Sequence, residues 1–280
     1  GTVGIGNIGG VAVAISIGGP GAAFWLFLAG FLGMSTKFVE CTLGVKYRKS
    51  NADGSVSGGP MYYLEHCLSI RGYPGLGKLL GSFYAISLVI GCFGIGNMFQ
   101  SNQAYVQFLS ITGGESSFFA DKGWLFGIIL AGAVGLVIIG GIKSIAKAAS
   151  KIVPSMAGLY LVAALIILIL SYDSIDDAFK LIIQSAFGLN SFAGGAIGAL
   201  IIGFQRSAFS NEAGMGTASI AHSAVETNEP ITEGLVSLLE PFIDTMVICT
   251  LTSLVIITTL YTDGSPFGDL EGIAITSAAF

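Results

Sequence analysis

Charge is the scarcest feature of this 280-residue sequence. Only 10% of the residues are Asp, Glu, Lys or Arg, whereas 53% are hydrophobic and the mean hydropathy is +0.81. A soluble globular domain carries about 25% charged residues, so this chain has too little charge to cover a surface that faces water. The sequence also lacks a cluster of basic residues, which argues against binding to nucleic acid. These deficits point to a protein that lies within a membrane.

Cysteine and histidine are equally sparse. The residues of these two types lie far apart along the chain and are Cys41, Cys67, Cys92, Cys249, His66 and His222. None of the intervals between them matches a metal site or a disulfide framework, and no Ser–His–Asp or Cys–His constellation can be assembled. The sequence therefore predicts that the protein is not an enzyme, and that these six side chains are structural or incidental.

Long apolar runs recur along the whole chain. A helix needs about 20 mainly apolar residues to cross the hydrocarbon core of a bilayer. The predicted spans are Gly1–Ile17, Ala22–Val45, Leu79–Ile111, Trp124–Ile142, Ile152–Leu170, Gly194–Ala224 and Leu235–Tyr261. Two short surface helices are predicted at Met61–Ile70 and Ala178–Phe187, and Gly272–Phe280 opens another segment. The predicted fold class is an all-α polytopic membrane protein with about seven spans present.

Positive charge predicts the orientation of these spans. Of the 12 Lys and Arg residues, eight lie in residues 46–78 and 143–151. Cytoplasmic loops are enriched in these residues, so both segments are predicted to face the cytoplasm. The acidic loops at 173–177 and 263–271 are then external, and the first span runs outward.

Two glycine-rich segments interrupt predicted spans one and six. Five of the first ten residues are Gly, and residues 203–216 combine glycines with Gln, Arg, Asn and Glu. Interrupted segments at corresponding places in two halves mark the binding site of many transporters. This spacing predicts a five-plus-five inverted repeat whose first and sixth helices are unwound at mid-membrane. An alternative stays open, in which the glycines only let helices approach closely.

Amide side chains recur within predicted span three. Asn97, Gln100 and Gln103 are spaced three residues apart, so they are predicted to share one face of a helix. Such a face could hydrogen-bond a solute or tie two helices together, and the spacing does not separate these two roles.

Charged residues also fall inside predicted spans, where charge is costly and marks a functional or paired group. They form three pairs by position: Lys37 with Glu40, Arg206 with Glu212, and Glu240 with Asp244. The first two residues are predicted to pair with each other. The second pair is predicted to form a gate or a structural ion pair. The third shares one helix face and could serve a cation pathway or accept hydrogen bonds from a neighbouring helix.

Several unusual strings are spread over most of the chain. They are Gly1–Val11, Gly18–Ala22, Phe24–Trp25, Gly33–Glu40, Gly58–Tyr63, Gly96–Gln100, Phe209–Gly216, Ile220–His222 and Phe242–Thr245. These strings resemble the alanine or glycine:cation symporter family. The resemblance implies a leucine-transporter-type fold in a bacterial or archaeal plasma membrane. It also implies that sodium drives the uptake of alanine or glycine through the bilayer. In that family further helices flank the matched region, so residues 1–280 would be one transporter domain, incomplete at both ends. The first half of helix one and the helices from about the eighth onward would be missing.

The resemblance also implies a binding site. Its substrate-binding residues would be Gly4, Gly6, Asn7, Gln100 and Ser207, and its sodium ligands would be the backbone carbonyls of Thr2 and Val3. The first four would hold the carboxylate of the amino acid, while Ser207 would close the other side of the pocket.

Two other functions remain compatible with the sequence. One is a proton-coupled amino-acid permease of the same fold, with Glu240 and Asp244 carrying the proton. The other is a membrane channel or a structural membrane subunit that transports nothing by itself.

Overall fold

A computed structural model of the chain describes residues 3–52, 55–188, 195–261, 267–268 and 270–280. The α-helices within these ranges are α1 (Ile5–Gly18), α2 (Gly21–Lys46), α3 (Pro60–Ile70), α4 (Pro74–Gly91), α5 (Phe99–Ile111), α6 (Gly123–Ile138), α7 (Gly141–Leu170), α8 (Ile175–Phe187), α9 (Gly195–Asn211), α10 (Thr217–His222), α11 (Pro230–Ser237), α12 (Leu239–Pro241), α13 (Thr250–Leu260) and α14 (Ile273–Ala279). Two π-helical segments, Cys92–Met98 and Phe242–Cys249, join helices without a break. A two-stranded antiparallel hairpin pairs β1 (Lys49–Ser50) with β2 (Val56–Ser57).

Four helical stretches in the described ranges are long and apolar enough to cross a membrane. They are Gly21–Lys46, Pro74–Ile111, Gly141–Leu170 and Pro230–Leu260. Shorter apolar helices occupy Ile5–Gly18 and Gly123–Ile138. The prediction of an all-α polytopic membrane protein is confirmed. The number of spans and the five-plus-five repeat stay predictions.

Helix α2 packs at the centre of the described helices, against α8, α9, α10 and α11. Small residues make this close approach feasible. A Cβ atom added at Gly203 of α9 would lie 2.6 Å from Cβ of Trp25 on α2, and one added at Gly30 would lie 2.6 Å from Cγ2 of Thr245. At these two positions the glycines serve helix contact, as membrane helices commonly use them.

The start of span one differs from the prediction. Asn7, Gly9 and Gly10 lie inside α1, which begins at Ile5 and continues to Gly18. The helix is sustained because Oδ1 of Asn7 accepts a hydrogen bond from the backbone N–H of Gly4 at 2.9 Å, as a capping side chain does at a helix start. The prediction of an unwound segment over residues 1–10 is therefore wrong for residues 5–10, and residues 1–2 lie outside the described ranges.

The break in span six is shorter than predicted. Helix α9 runs through Gly203 to Asn211, and the backbone departs from helical geometry only over residues 212–216. Glu212, Gly214 and Gly216 have φ angles of 55°, 87° and 82°. This left-handed region is one that glycine adopts readily and other residues rarely. The predicted break is therefore present at 212–216 and wrong for 203–211.

Other predicted boundaries need smaller corrections. Residues 143–151, predicted as a loop, form the exposed first turns of α7, because that helix begins at Gly141. The predicted helices at Met61–Ile70 and Ala178–Phe187 are confirmed as α3 and α8. In the predicted external loop at 263–271, residues 263–266 and 269 lie outside the described ranges.

Candidate functional site

The break between α9 and α10 is held by two charged residues of α2. Nζ of Lys37 donates a hydrogen bond to the carbonyl of Asn211 at 2.8 Å, at the end of α9. Oε2 of Glu40 accepts hydrogen bonds from the N–H groups of Gly214 and Gly216, each at 3.2 Å, just before α10. A cation thus meets the negative end of one helix dipole and an anion meets the positive end of the next. These contacts stabilise the break electrostatically.

Lys37 forms its ion pair with Glu240 of span seven. Its Nζ lies 3.1 Å from Oε2 of Glu240, and the lysine side chain is fully buried. The predicted pairing of Lys37 with Glu40 is wrong, because these two side chains leave α2 toward opposite ends of the break. A pairing of Arg206 with Glu212 is also wrong. No ion pair joins them in the described ranges, and Glu212 instead accepts a hydrogen bond from the hydroxyl of Thr217.

His222 extends this ion pair into a network. Its Nε2 atom lies 3.0 Å from Oε1 of Glu240, and its Nδ1 atom lies 2.5 Å from Oε1 of Glu233 in α11. The imidazole therefore links α10 to Glu233 and Glu240, two positions of the helical stretch Pro230–Leu260. We call Lys37, Glu240, His222 and Glu233 the buried ion network. His222 is therefore structural, one of the two roles that the sequence predicts for it.

A cavity of about 470 Å³ opens at the break. Its walls include Val3, Gly4, Gln100, Glu212, His222 and Glu240. We call this space the break cavity. It lies where the start of α1, the start of α5 and the interruption of span six come together.

A second cavity, of about 300 Å³, continues from the first. Both are lined by Gln100, Glu212 and Thr217. The lining of the second also includes the apolar side chains of Leu88 and Phe209. Gln100 thus lines both cavities, whose walls combine polar and apolar groups, and such a lining suits a small amphiphilic solute.

The predicted site residues fall into two groups. Val3, Gly4 and Gln100 line the break cavity. Gly6 and Ser207 are instead buried between helices: a Cβ atom added at Gly6 would lie 3.4 Å from the ring of Phe209 on α9, and Ser207 is 1% exposed. Asn7 is fully buried, and Thr2 lies outside the described ranges.

Asn7 joins three spans through its side-chain amide. Its Nδ2 atom donates to Oγ of Ser210 at 3.0 Å and to the backbone carbonyl of Asp244 at 2.8 Å. Oγ of Ser210 lies 3.3 Å from Oγ1 of Thr245. These residues are buried, and Asp244 is only 2% exposed. We call Asn7, Ser210, Asp244 and Thr245 the polar cluster.

Comparison with known proteins identifies the family. The profile of the sodium:alanine symporter family matches residues 1–280, the whole chain. The chain belongs to this family. Its membership confirms the predicted resemblance and the prediction of a transporter rather than an enzyme.

Several curated proteins are similar to the chain over nearly all of its length. A "Sodium/alanine symporter AgcS" of Methanococcus maripaludis is 43% identical over 282 residues, which cover 100% of this chain and 60% of the relative. An "Uncharacterized transporter" of Haemophilus influenzae is 42% identical over 100% of this chain and 59% of the relative. A "Probable sodium/glutamine symporter GlnT" of Bacillus subtilis is 37% identical over 99% of this chain and 54% of the relative. The chain thus spans about 54–60% of the length of these relatives.

The predicted amide face of this symporter-family chain is divided among three environments. Gln100 lines the break cavity, whereas Oε1 of Gln103 accepts a hydrogen bond from the N–H of Ile273 at 2.9 Å. Asn97 is exposed and belongs to the π-helical segment Cys92–Met98. Gln100 and Gln103 keep the predicted spacing of three residues within α5. The wider turn of a π-helix changes the angular spacing of side chains, so the predicted face does not extend regularly to Asn97.

The contact of His222 with Glu233 and Glu240 was not predicted from the sequence. One signal was available, because Glu233 and Glu240 are seven residues apart and two helical turns bring them to one face. The position of His222 opposite that face depends on how α10 folds back after the break, and no local pattern encodes it.

Proposed function

We propose that the protein containing this chain carries out sodium-coupled symport of small neutral amino acids, alanine and glycine, into the cell. The observation that carries the proposal is the break cavity, where Gly4 and Gln100 meet the interruption of span six. Membership of the family supports it, as does the sodium/alanine name of the Methanococcus maripaludis relative. The membrane would be the plasma membrane.

The amino acid would bind at the junction of the two cavities. The side-chain amide of Gln100 and the backbone of Gly4 would hydrogen-bond its carboxylate, and the apolar wall at Phe209 would receive its side chain. Gly6 and Asn7 would act from behind this wall, because Gly6 packs against Phe209 and Asn7 donates to Ser210 of α9. Ser207 would act there from within α9, where it accepts a hydrogen bond from Asn211. Burying one more methylene of a ligand is favourable by about 0.8 kcal/mol only where there is room. In a filled site it causes strain.

Sodium would be co-transported as a second substrate. The backbone carbonyls of Thr2 and Val3 would supply part of its coordination. The polar cluster supports a further set of oxygen ligands, because the hydroxyls of Ser210 and Thr245 lie 3.3 Å apart and Asn7 donates to both Ser210 and the backbone carbonyl of Asp244. Oxygen atoms are the ligands that hard cations prefer.

Alternating access would follow from a leucine-transporter-type five-plus-five repeat, with the interrupted spans one and six at its centre. Interrupted helices let a transporter expose a midplane site to each side in turn. The break at residues 212–216, held by Lys37 and Glu40, supports span six as one of these helices.

The test is uptake of labelled alanine by the full-length protein in proteoliposomes. We expect saturable uptake that requires an inward sodium gradient, competition by glycine, and little competition by leucine or glutamine. Uptake that ignores sodium and follows a pH gradient would favour the proton-coupled permease. Uptake without saturation would favour a channel. Competition by glutamine as strong as that by alanine would refute the small-solute specificity. Glutamine is included as a competitor because one Bacillus subtilis relative is named for it.

A further inference from the structure

We propose that His222, Glu233 and Glu240 form a proton-binding site that opens onto the break cavity. The ligand is a single proton, held on the imidazole between two ionised carboxylates. Binding of the proton does not depend on the proposed function. The effect of the bound proton on solute movement rests on the proposed function.

The positions of the two ring nitrogens carry the proposal. A neutral imidazole has one N–H donor and one lone-pair acceptor, and an ionised carboxylate only accepts. In this structure Nδ1 faces Oε1 of Glu233 at 2.5 Å, and Nε2 faces Oε1 of Glu240 at 3.0 Å. Both contacts are hydrogen bonds only if the group of three holds one proton more than neutral imidazole supplies. The geometry is that of an imidazolium with two acceptors.

The charges around the ring favour the same proton. Lys37 faces Glu240 from α2 at 3.1 Å, so Lys37 and a protonated His222 balance the two carboxylates of Glu233 and Glu240. Without the proton, the buried ion network carries a net charge of −1. Two other carboxylates add to this negative field: Glu212 lines the same cavity, and Glu40 lies on α2 at the break. Uncompensated charge within a membrane protein is costly, so the proton stabilises the network.

The site has a route to solvent and a mechanical link to the solute. His222 and Glu240 both line the break cavity, so a proton can reach the ring through water in that space. His222 is the last residue of α10, and Ala218 of the same helix forms part of the cavity wall. The two hydrogen bonds of the imidazolium hold α10 against span seven. Loss of the proton turns one of them into a contact between a lone pair and a carboxylate, which releases that end of α10.

The direct test is a titration of His222 by nitrogen-15 NMR, in full-length protein labelled at histidine and held in nanodiscs. We expect both ring nitrogens of His222 to be protonated at neutral pH. Glu233→Gln removes one ionised acceptor, so it should lower the pH at which His222 releases its proton by about one to two units. His66, which packs against the ring of Tyr47 at 4.9 Å, provides an internal control whose nitrogen-15 signals should be the same in both proteins. A wild-type His222 with only one protonated nitrogen at neutral pH would overturn the proposal.

The link to transport has a separate test. His222→Gln retains a hydrogen-bonding side chain but does not titrate, so it should flatten the pH dependence of sodium-driven alanine uptake. A variant profile identical to wild type would refute the link. If His222→Gln does not fold, Glu233→Gln serves instead, and its uptake profile should shift in the direction of its NMR titration. If the wild-type protein moves no alanine at all, the proposed function fails, while the NMR titration still decides whether the proton is bound.

Discussion

Removal of the Lys37 charge should destabilise the protein, and a second substitution should recover part of that loss. Nζ of Lys37 is fully buried, lies 3.1 Å from Oε2 of Glu240 and donates to the carbonyl of Asn211 at 2.8 Å. In Lys37→Met the side chain keeps most of its volume, but Glu240 keeps a partly buried charge without its ion-pair partner. The carbonyl of Asn211 also loses its hydrogen-bond donor.

The size of the destabilisation by Lys37→Met follows from the exposure and contacts of Glu240. Leaving one partner of a buried ion pair without the other costs about 3–5 kcal/mol. Because Glu240 is 21% exposed and still contacts His222, we expect the lower end, about 3 kcal/mol. Adding Glu240→Gln removes the stranded charge. The double variant should therefore lose about 1–3 kcal/mol less unfolding free energy than the two single variants lose when their losses are added.

The assay is the free energy of unfolding of the full-length protein in mixed micelles, followed by tryptophan fluorescence during a denaturant titration. Lys46→Met is the matched control, because Lys46 lies on the same helix and is exposed. It should change stability by less than about 0.5 kcal/mol. A Lys37→Met variant with the same free energy of unfolding as this control would refute the prediction. A double variant that loses as much free energy of unfolding as the two single variants combined would also refute it.

Three further predictions concern packing, solute and sodium. Gly203→Ala should lower the free energy of unfolding by about 1–3 kcal/mol, because the added Cβ would lie 2.6 Å from Trp25. Gly132→Ala is the control and should leave it unchanged in the same titration, because the space around Gly132 is open. Gln100→Ala should weaken alanine binding by roughly tenfold to a hundredfold through loss of a hydrogen bond to a carboxylate; Gln107→Ala on the same helix is the control, and equal affinities would remove Gln100 from the site. Asp244→Asn should raise the sodium concentration that gives half-maximal uptake, and an unchanged sodium dependence would show that this carboxylate does not serve the cation.

Hydropathy and glycine content determined the class of this protein. Apolar runs predict helices within a bilayer because unpaired backbone groups are not tolerated in hydrocarbon, and the helices at Gly21–Lys46 and Gly141–Leu170 agree. The glycines and polar residues near position 210 predicted an interruption of span six. The family strings pointed to Gly4 and Gln100, both of which line the break cavity.

The extent of each interruption depended on contacts that local patterns do not contain. Span six remains helical through Gly203 because α2 packs closely against it, and it breaks at residues 212–216, where Lys37 and Glu40 satisfy the exposed backbone groups. In span one, Oδ1 of Asn7 accepts the hydrogen bond at the start of the helix, and its Nδ2 atom donates to Ser210 and to the backbone carbonyl of Asp244.

The partners of the buried charges were decided by tertiary structure alone. Spacing along α2 predicted that Lys37 would pair with Glu40, yet Lys37 binds Asn211, which is 174 positions away in the sequence. His222 likewise finds its two carboxylates only after the chain turns from α10 into span seven. Helical periodicity reports which residues share a face of one helix. Which face of another helix they meet is determined by packing, because a buried charge must find its counterpart wherever the fold brings one near.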